Sequence, residues 1–143
     1  MDKISKAGIW FCRVLLLCGA IIFLLISIRY LTNPVSASSQ FKISLGTPTA
    51  ITNMRIGFGA FPLGLAIVIF SCLFSKRKTL SGLYVLGIMM GVASVIRTLG
   101  LIVDGATQET VKVLRPEIFF FCFSVVGILF EYRRIHLAGV EDQ

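Results

Sequence analysis

Four long runs of apolar residues, separated by short segments that hold nearly all the charge, dominate the chain. They cover about 8–28, 54–74, 79–103 and 116–133. A helix needs about 20 mostly apolar residues to cross the hydrocarbon layer of a membrane, so four crossings use most of the 143 residues. The pattern therefore predicts an all-α fold, a four-helix antiparallel transmembrane bundle that forms one integral membrane domain over 1–143.

Basic residues set the predicted orientation of this bundle. Lys76, Arg77 and Lys78 join the second and third runs, and positively charged loops stay cytoplasmic. With four crossings, both termini then lie on the cytoplasmic side. The first run has the basic start of a signal peptide, but its apolar stretch from Val14 to Ile28 is long for a signal core, so we predict an uncleaved span.

Composition fits a membrane protein and offers little chemistry. Apolar residues make up 56% of the chain, charged residues 15%, and the net charge is +7. We attribute this charge to topology and to contact with the lipid bilayer, including anionic headgroups, because basic residues scattered at membrane boundaries do not form a nucleic-acid-binding stripe. The sequence predicts no cofactor, no metal site and no catalytic residue.

The cysteines and the single histidine also lack the spacing of a functional site. All four cysteines fall inside apolar runs and are predicted to be small buried hydrophobic residues. The histidine is predicted to be solvated in the carboxyl-terminal tail. These residues are Cys12, Cys18, Cys72, Cys122 and His136.

Small residues indicate where helices approach one another closely. Gly87 and Gly91 form a GxxxG step on the third run, and Ser94 continues that face. Ala60 and Gly64 form a second small pair on the second run. Such steps serve packing within a bundle as well as between chains, so a homo-oligomer through Gly87 and Gly91 is an open alternative.

Two prolines and one loop carry local predictions. Pro116 suits the first turn of the fourth helix, and Pro62 is expected to bend the second helix. The longest loop runs from Arg29 to about Thr52. Within it, residues 41–45 alternate apolar and polar side chains, which suits either a strand-like piece or a segment lying on the membrane.

Four charged residues from three helices are predicted to meet at the non-cytoplasmic face. Arg55 lies 21 residues before the basic turn, and Arg97 lies 19 residues after it. At about 1.5 Å per residue, both are roughly 30 Å from that turn and therefore at similar depth. Asp104 follows Arg97 by two helical turns, and Glu117 opens the fourth helix on the same side.

Two interpretations of this cluster remain open. Salt bridges would lock the ends of three helices together, whereas a ligand-binding site would use the same groups for a polar or anionic ligand. Arg97 is the strongest candidate because it continues the face of Gly91 and is expected to point toward other helices. Arg55 shares a face with Gly59 and is expected to do the same. The predicted ligand-binding residues are Arg55, Arg97, Asp104 and Glu117.

Several short stretches resemble a family of small bacterial membrane proteins known as domain of unknown function four-three-four-five. They are Asn53 to Gly59, Ile96 to Gly105, Asn33-Pro34 and Glu117. The resemblance depends on Arg55, Arg97, Asp104 and Gly105 in that order. It implies a four-helix domain in the bacterial cytoplasmic membrane, distantly similar to the DoxX-like membrane proteins, and it brings no established activity.

Three functions are compatible with these features. The first is a non-enzymatic membrane protein whose polar cluster holds the bundle together and docks a partner or a lipid headgroup. The second is a small carrier or binding protein in which Arg55 and Arg97 hold an anion. The third is a membrane enzyme that acts on a lipid-like substrate with Asp104 or Glu117 as acid or base. The lack of any catalytic motif in the sequence favours a protein that is not an enzyme.

Overall fold

The computed structural model describes residues 3–75 and 78–141, with side chains over 7–75 and 78–135. Within these ranges it contains six α-helices, one π-helical segment and no strand. The π-helical segment joins the third and fourth helices without a break. The elements are α1 (Lys3–Thr32), α2 (Pro34–Ser39), α3 (Pro48–Met54), the π-helical segment (Arg55–Ala60), α4 (Phe61–Leu73), α5 (Thr79–Val103) and α6 (Gln108–Glu141).

Four helical stretches of the described chain are long and apolar enough to cross a membrane. They are Ala7–Thr32, Pro48–Leu73, Thr79–Val103 and Gln108–Ile135. The predicted all-α four-helix bundle of a multi-pass membrane protein is confirmed. Which side the termini face stays a prediction, and Lys76, Arg77 and the side chain of His136 lie outside the described residues.

We name the two ends of the bundle by their connections. The loop end carries residues 33–47 and the turn at 104–107, and the terminal end carries the start of α1, the end of α6, the end of α4 and the start of α5. These names make no statement about the side of the membrane.

Helix α1 provides the largest part of the core. Its buried residues recur every three or four positions on one face, as expected for a helix that packs along its whole length. This face contacts α4, α5 and α6. The core is completed by Ala66 and Ile69 of α4 and by Leu83 and Leu86 of α5. The buried residues in the described part of α1 are Cys12, Leu15, Leu16, Gly19, Ala20, Phe23, Ser27 and Tyr30.

A π-helical turn lies directly before Pro62. The N–H of Phe61 donates to the carbonyl of Ile56, five residues earlier, which is a wider turn than that of an α-helix. In a regular α-helix, Pro62 would have no N–H for the carbonyl of Phe58, and its ring would clash with that carbonyl. The distortion at this proline therefore takes the form of a widened turn.

The widened turn also changes which small residues pack. Ala60 and Gly64, the predicted small pair, are both exposed, and a Cβ on Gly64 would have nothing within 4 Å. Gly59 and Ala66 are the buried small residues instead. Because the π-helical segment interrupts the α-helical register, the spacing of the sequence did not identify the packed face.

The fourth helix begins eight residues before the position predicted for its first turn. The placement of Pro116 in that turn is wrong, because α6 starts at Gln108 and Pro116 lies inside it. Thr107 caps the helix, since the N–H of Thr110 donates to its Oγ1 at 3.2 Å. Pro116 leaves only the carbonyl of Lys112 without its helical donor, and both residues are exposed.

The cysteines divide between the core and the surface. Cys12 and Cys72 are buried, whereas Cys18 and Cys122 are exposed, and all four are free. The prediction of burial is therefore confirmed for two and wrong for two. A helix that faces lipid is apolar on its outer side as well, so membership of an apolar run does not establish burial.

We predict that Gly82→Ala destabilises the bundle. A Cβ on Gly82 of α5 would lie 2.8 Å from the Cβ of Cys72 on α4, so the two helices would have to separate. Overpacking of this kind costs about 1–3 kcal/mol of unfolding free energy. Gly64→Ala is the matched control, and thermal melting in detergent should show a lower Tm for Gly82→Ala alone. Equal Tm values would contradict this close approach.

Candidate functional site at the loop end

Arg97 and Glu117 form a two-bond ion pair between α5 and α6. Nε of Arg97 donates to Oε2 of Glu117 at 2.8 Å, and Nη2 donates to Oε1 at 2.7 Å. The side chains are 31% and 12% exposed. The planar guanidinium matches both carboxylate oxygens at once, so the contact fixes direction as well as distance.

The antiparallel packing of α5 against α6 brings this pair together. A Cβ on Gly87 would lie 3.2 Å from the Cβ of Ser124, and one on Gly91 would lie 2.9 Å from the Phe121 ring. Further toward the loop end, the same face of α5 presents Arg97 to α6. The GxxxG face is thus in contact with α6 of the same chain, and a homo-oligomer through it stays a prediction.

The structure brings together two of the four predicted site residues. Arg55 and Asp104 are exposed, and within the described chain neither makes an ion pair or a side-chain hydrogen bond. The expectation that Arg55 faces the protein interior is therefore wrong. Arg55 opens the π-helical segment, whose wider turn breaks the spacing on which that expectation depended. A role in ligand binding for Arg55, Arg97, Asp104 and Glu117 stays a prediction.

A cavity of about 270 Å³ lies beside the ion pair. Arg97 forms part of its wall, so the guanidinium that bonds Glu117 also borders this space. The remaining walls come from the loop after α2 and from the first turns of α6. The polar residues among them are Gln40, Lys42, Thr107, Glu109 and Thr110. The sequence does not single out these residues because they are far apart in the chain, and the polarity of the two loops is the only signal that they give.

The first loop reaches the cavity through a tight turn. The N–H groups of Phe41 and Ile43 both donate to the carbonyl of Ser38, at 3.0 and 3.2 Å. Lys42 adopts a φ of 59°, a left-handed conformation that residues other than glycine rarely use. The strand-like alternative for residues 41–45 is therefore wrong, and the turn places Lys42 in the cavity wall.

A second acidic side chain is held by an ion pair at the terminal end. Glu131 of α6 is 2% exposed and pairs with Arg134, one turn further along the same helix. The sequence places these residues near each other but does not show that Glu131 is buried. In the described part of α6, both carboxylates that point into the bundle are thus neutralised by arginine.

A second concave surface is apolar and does not coincide with the ion pair. It is a groove of about 880 Å³ along α5 and α6, lined by residues such as Ile88, Val92 and Val125. An exposed apolar groove on a membrane-spanning helix pair is the surface that lipid chains require. Across the described residues, no group of three His, Cys, Asp or Glu side chains is placed to hold a metal ion.

Four membrane-length helices and an Arg–Glu pair between two of them define a small multi-pass helical membrane protein. The chain belongs to the family described as Domain of unknown function (DUF4345), whose model matches residues 11–127. The family that the residues resemble is therefore confirmed. No curated protein and no solved structure matches the chain.

We predict that Arg97→Leu lowers the free energy of unfolding by about 1–3 kcal/mol, because it leaves the Glu117 carboxylate without both bonds. Arg97→Lys keeps the charge but loses the two-bond geometry, so its effect should be smaller. The double variant Arg97→Leu/Glu117→Leu should be more stable than Arg97→Leu alone, since no charge is left unpaired. Denaturant unfolding in micelles measures all three.

The control for this series is Arg55→Leu, which removes an exposed arginine that has no partner in the described chain. Its unfolding free energy should change by less than about 0.5 kcal/mol. If Arg55→Leu and Arg97→Leu lose the same stability, the pair has no structural role.

Proposed function

We propose that this protein is a non-enzymatic protein of the bacterial cytoplasmic membrane, with both termini in the cytoplasm, that docks a polar lipid headgroup at its loop end. The observation that carries this proposal is the two-bond contact of Arg97 with Glu117 beside a polar cavity. The contact holds α5 and α6 in register, and the cavity lies where α5 ends. Headgroups occupy that level of a membrane.

The charge of the ion pair supports docking over capture of a free anion. Glu117 offsets the charge of Arg97, so the guanidinium attracts a distant anion only weakly. Its remaining roles are to hold α5 against α6 and to donate hydrogen bonds. A lipid headgroup needs no such attraction, because the bilayer already holds it beside the cavity. Docking of a headgroup therefore requires less electrostatic attraction from the site than the uptake of an anion from solution.

A second candidate is a small carrier or binding protein for a soluble polar or anionic ligand. The presence of Lys42 and Arg97 in one cavity wall supports it. Among the residues that the structure describes, nothing comparable favours an enzyme. Glu117 has both oxygens bonded to Arg97 and is poorly placed as an acid or base, and Asp104 does not line the cavity.

Ligand-dependent melting separates the two candidates. Phospholipid added to the delipidated protein in detergent should raise Tm by a few degrees, because a ligand that binds only the folded state stabilises it. Inorganic phosphate and glycerophosphate should not raise Tm. A rise with the soluble anions would favour the carrier, and no rise with any lipid would overturn docking.

Arg97→Lys and Arg55→Lys provide the matched pair for this experiment. Both substitutions keep the charge, but only Arg97 borders the cavity and bonds Glu117. The lipid-dependent rise in Tm should shrink in Arg97→Lys and stay at the wild-type value in Arg55→Lys. Equal rises in both variants would remove Arg97 from the docking site.

A further inference from the structure

The walls of the loop-end cavity carry both signs of charge, and we infer that the headgroup it binds is zwitterionic, a phosphate joined to a primary ammonium as in phosphoethanolamine. This inference rests on the proposed function and names the class of headgroup. The wall residues that carry it are Lys42 and Arg97, which are cationic, and Glu109, which is anionic.

Arg97 has donors left for a phosphate. Its Nε and Nη2 bond Glu117, whereas Nη1 makes no hydrogen bond to any described residue. An arginine has five N–H donors, so this side chain can hold Glu117 and a phosphate oxygen together. Lys42 lies in the same wall and adds three donors on an exposed ammonium.

The start of α6 adds to the phosphate side of the cavity. The first N–H groups of a helix have no intrahelical partner and carry a partial positive charge. Thr107 satisfies the N–H of Thr110, and those of Gln108 and Glu109 remain. Thr107, Glu109 and Thr110 all line the cavity, so this helix end borders the same space.

Glu109 supplies the opposite charge. It is exposed, and within the described chain it forms no ion pair, so its carboxylate is free to accept hydrogen bonds from an ammonium. Lys42 and Arg97 are offset in formal charge by Glu109 and by Glu117 behind Arg97. Because these two cations and two carboxylates, in the walls and directly behind them, sum to zero, the site favours a neutral zwitterion over a ligand with net negative charge.

The size of the cavity and the surface beside it fit one lipid. About 270 Å³ is below the roughly 300–1,000 Å³ of pockets for drug-sized molecules, so the cavity suits a headgroup and not a whole lipid. The acyl chains remain outside, on apolar helix surface. The groove along α5 and α6 includes Leu99 and Ile118, which are close in sequence to Arg97 and Glu117.

Native mass spectrometry of the delipidated full chain tests the inference with three lipids of equal chain length. Phosphatidylethanolamine should bind at least about fivefold more tightly than phosphatidylcholine, whose ammonium has no N–H to donate. It should also bind more tightly than phosphatidylglycerol, which has no ammonium. Soluble glycerophosphoethanolamine tests whether the headgroup alone suffices, and we expect it to bind far more weakly than the lipid.

Two matched pairs of variants test which wall residue contacts the phosphate of the headgroup and which contacts its ammonium. Lys42→Gln should lower the binding affinity for all three lipids about fivefold, because each lipid loses a contact to its phosphate. Lys112→Gln is the control: it removes an exposed lysine of α6 outside the cavity and should leave all three affinities unchanged. Glu109→Gln should abolish the preference for phosphatidylethanolamine while phosphatidylglycerol binds as well as before or better. Asp104→Asn is its control and should keep the preference.

The outcomes separate this inference from the proposed function. Equal binding of the three lipids, tightest binding of phosphatidylglycerol, or identical behaviour of Lys42→Gln and Lys112→Gln would overturn the zwitterionic headgroup while leaving lipid docking intact. Tighter binding of glycerophosphoethanolamine than of the lipid would overturn the lipid as its source. If no lipid binds, both proposals fail.

Discussion

A guanidinium held between membrane-spanning helices is stabilised by a bonded carboxylate, because an unpaired charge is costly where water is scarce. Arg97 and Glu117 meet this requirement with two parallel hydrogen bonds. Since apolar burial provides little force between helices in lipid, a directional contact of this kind sets the register of α5 against α6. The contacts of Gly91 and Gly87, about two and three turns further along α5, then follow from that register.

The structural and ligand-binding interpretations of the polar cluster do not exclude each other. The same guanidinium holds Glu117 on one side and borders the loop-end cavity on the other. Removing Arg97 therefore disturbs both the α5–α6 contact and the cavity. Variants of Lys42 and Glu109 are needed to separate an effect on binding from an effect on stability. Those two residues line the cavity without taking part in the ion pair.

The hydrophobic pattern was sufficient to predict the four long helices, because a helix that crosses a membrane must have a minimum length and an apolar composition. The sequence could predict that Arg97 points toward another helix, because it lies on the face of α5 that carries the glycines. Arg55 and the small pair at Ala60 were placed on the wrong face, since a local π-helical turn before Pro62 alters the register. The start of α6 was misjudged because Thr107, and not Pro116, ends the loop. The cavity could not be predicted from the sequence, because its walls consist of residues that only the folded loops bring together.

The two acidic residues that the described part of α6 turns into the bundle bear on how the protein sits in the bilayer. Glu117 and Glu131 are 14 residues apart, which is about 21 Å along a helix, whereas the hydrocarbon of a typical bilayer is about 30 Å thick. The stretch without charge on this inner face is thus about 9 Å shorter than the hydrocarbon it crosses. The shortfall concerns the inner face alone, because both carboxylates are bonded to arginines and the outer side of α6 carries exposed apolar residues such as Val125 and Leu129. At least one of the two ion pairs therefore lies at the depth of the hydrocarbon, where pairing and not hydration has to neutralise the carboxylate.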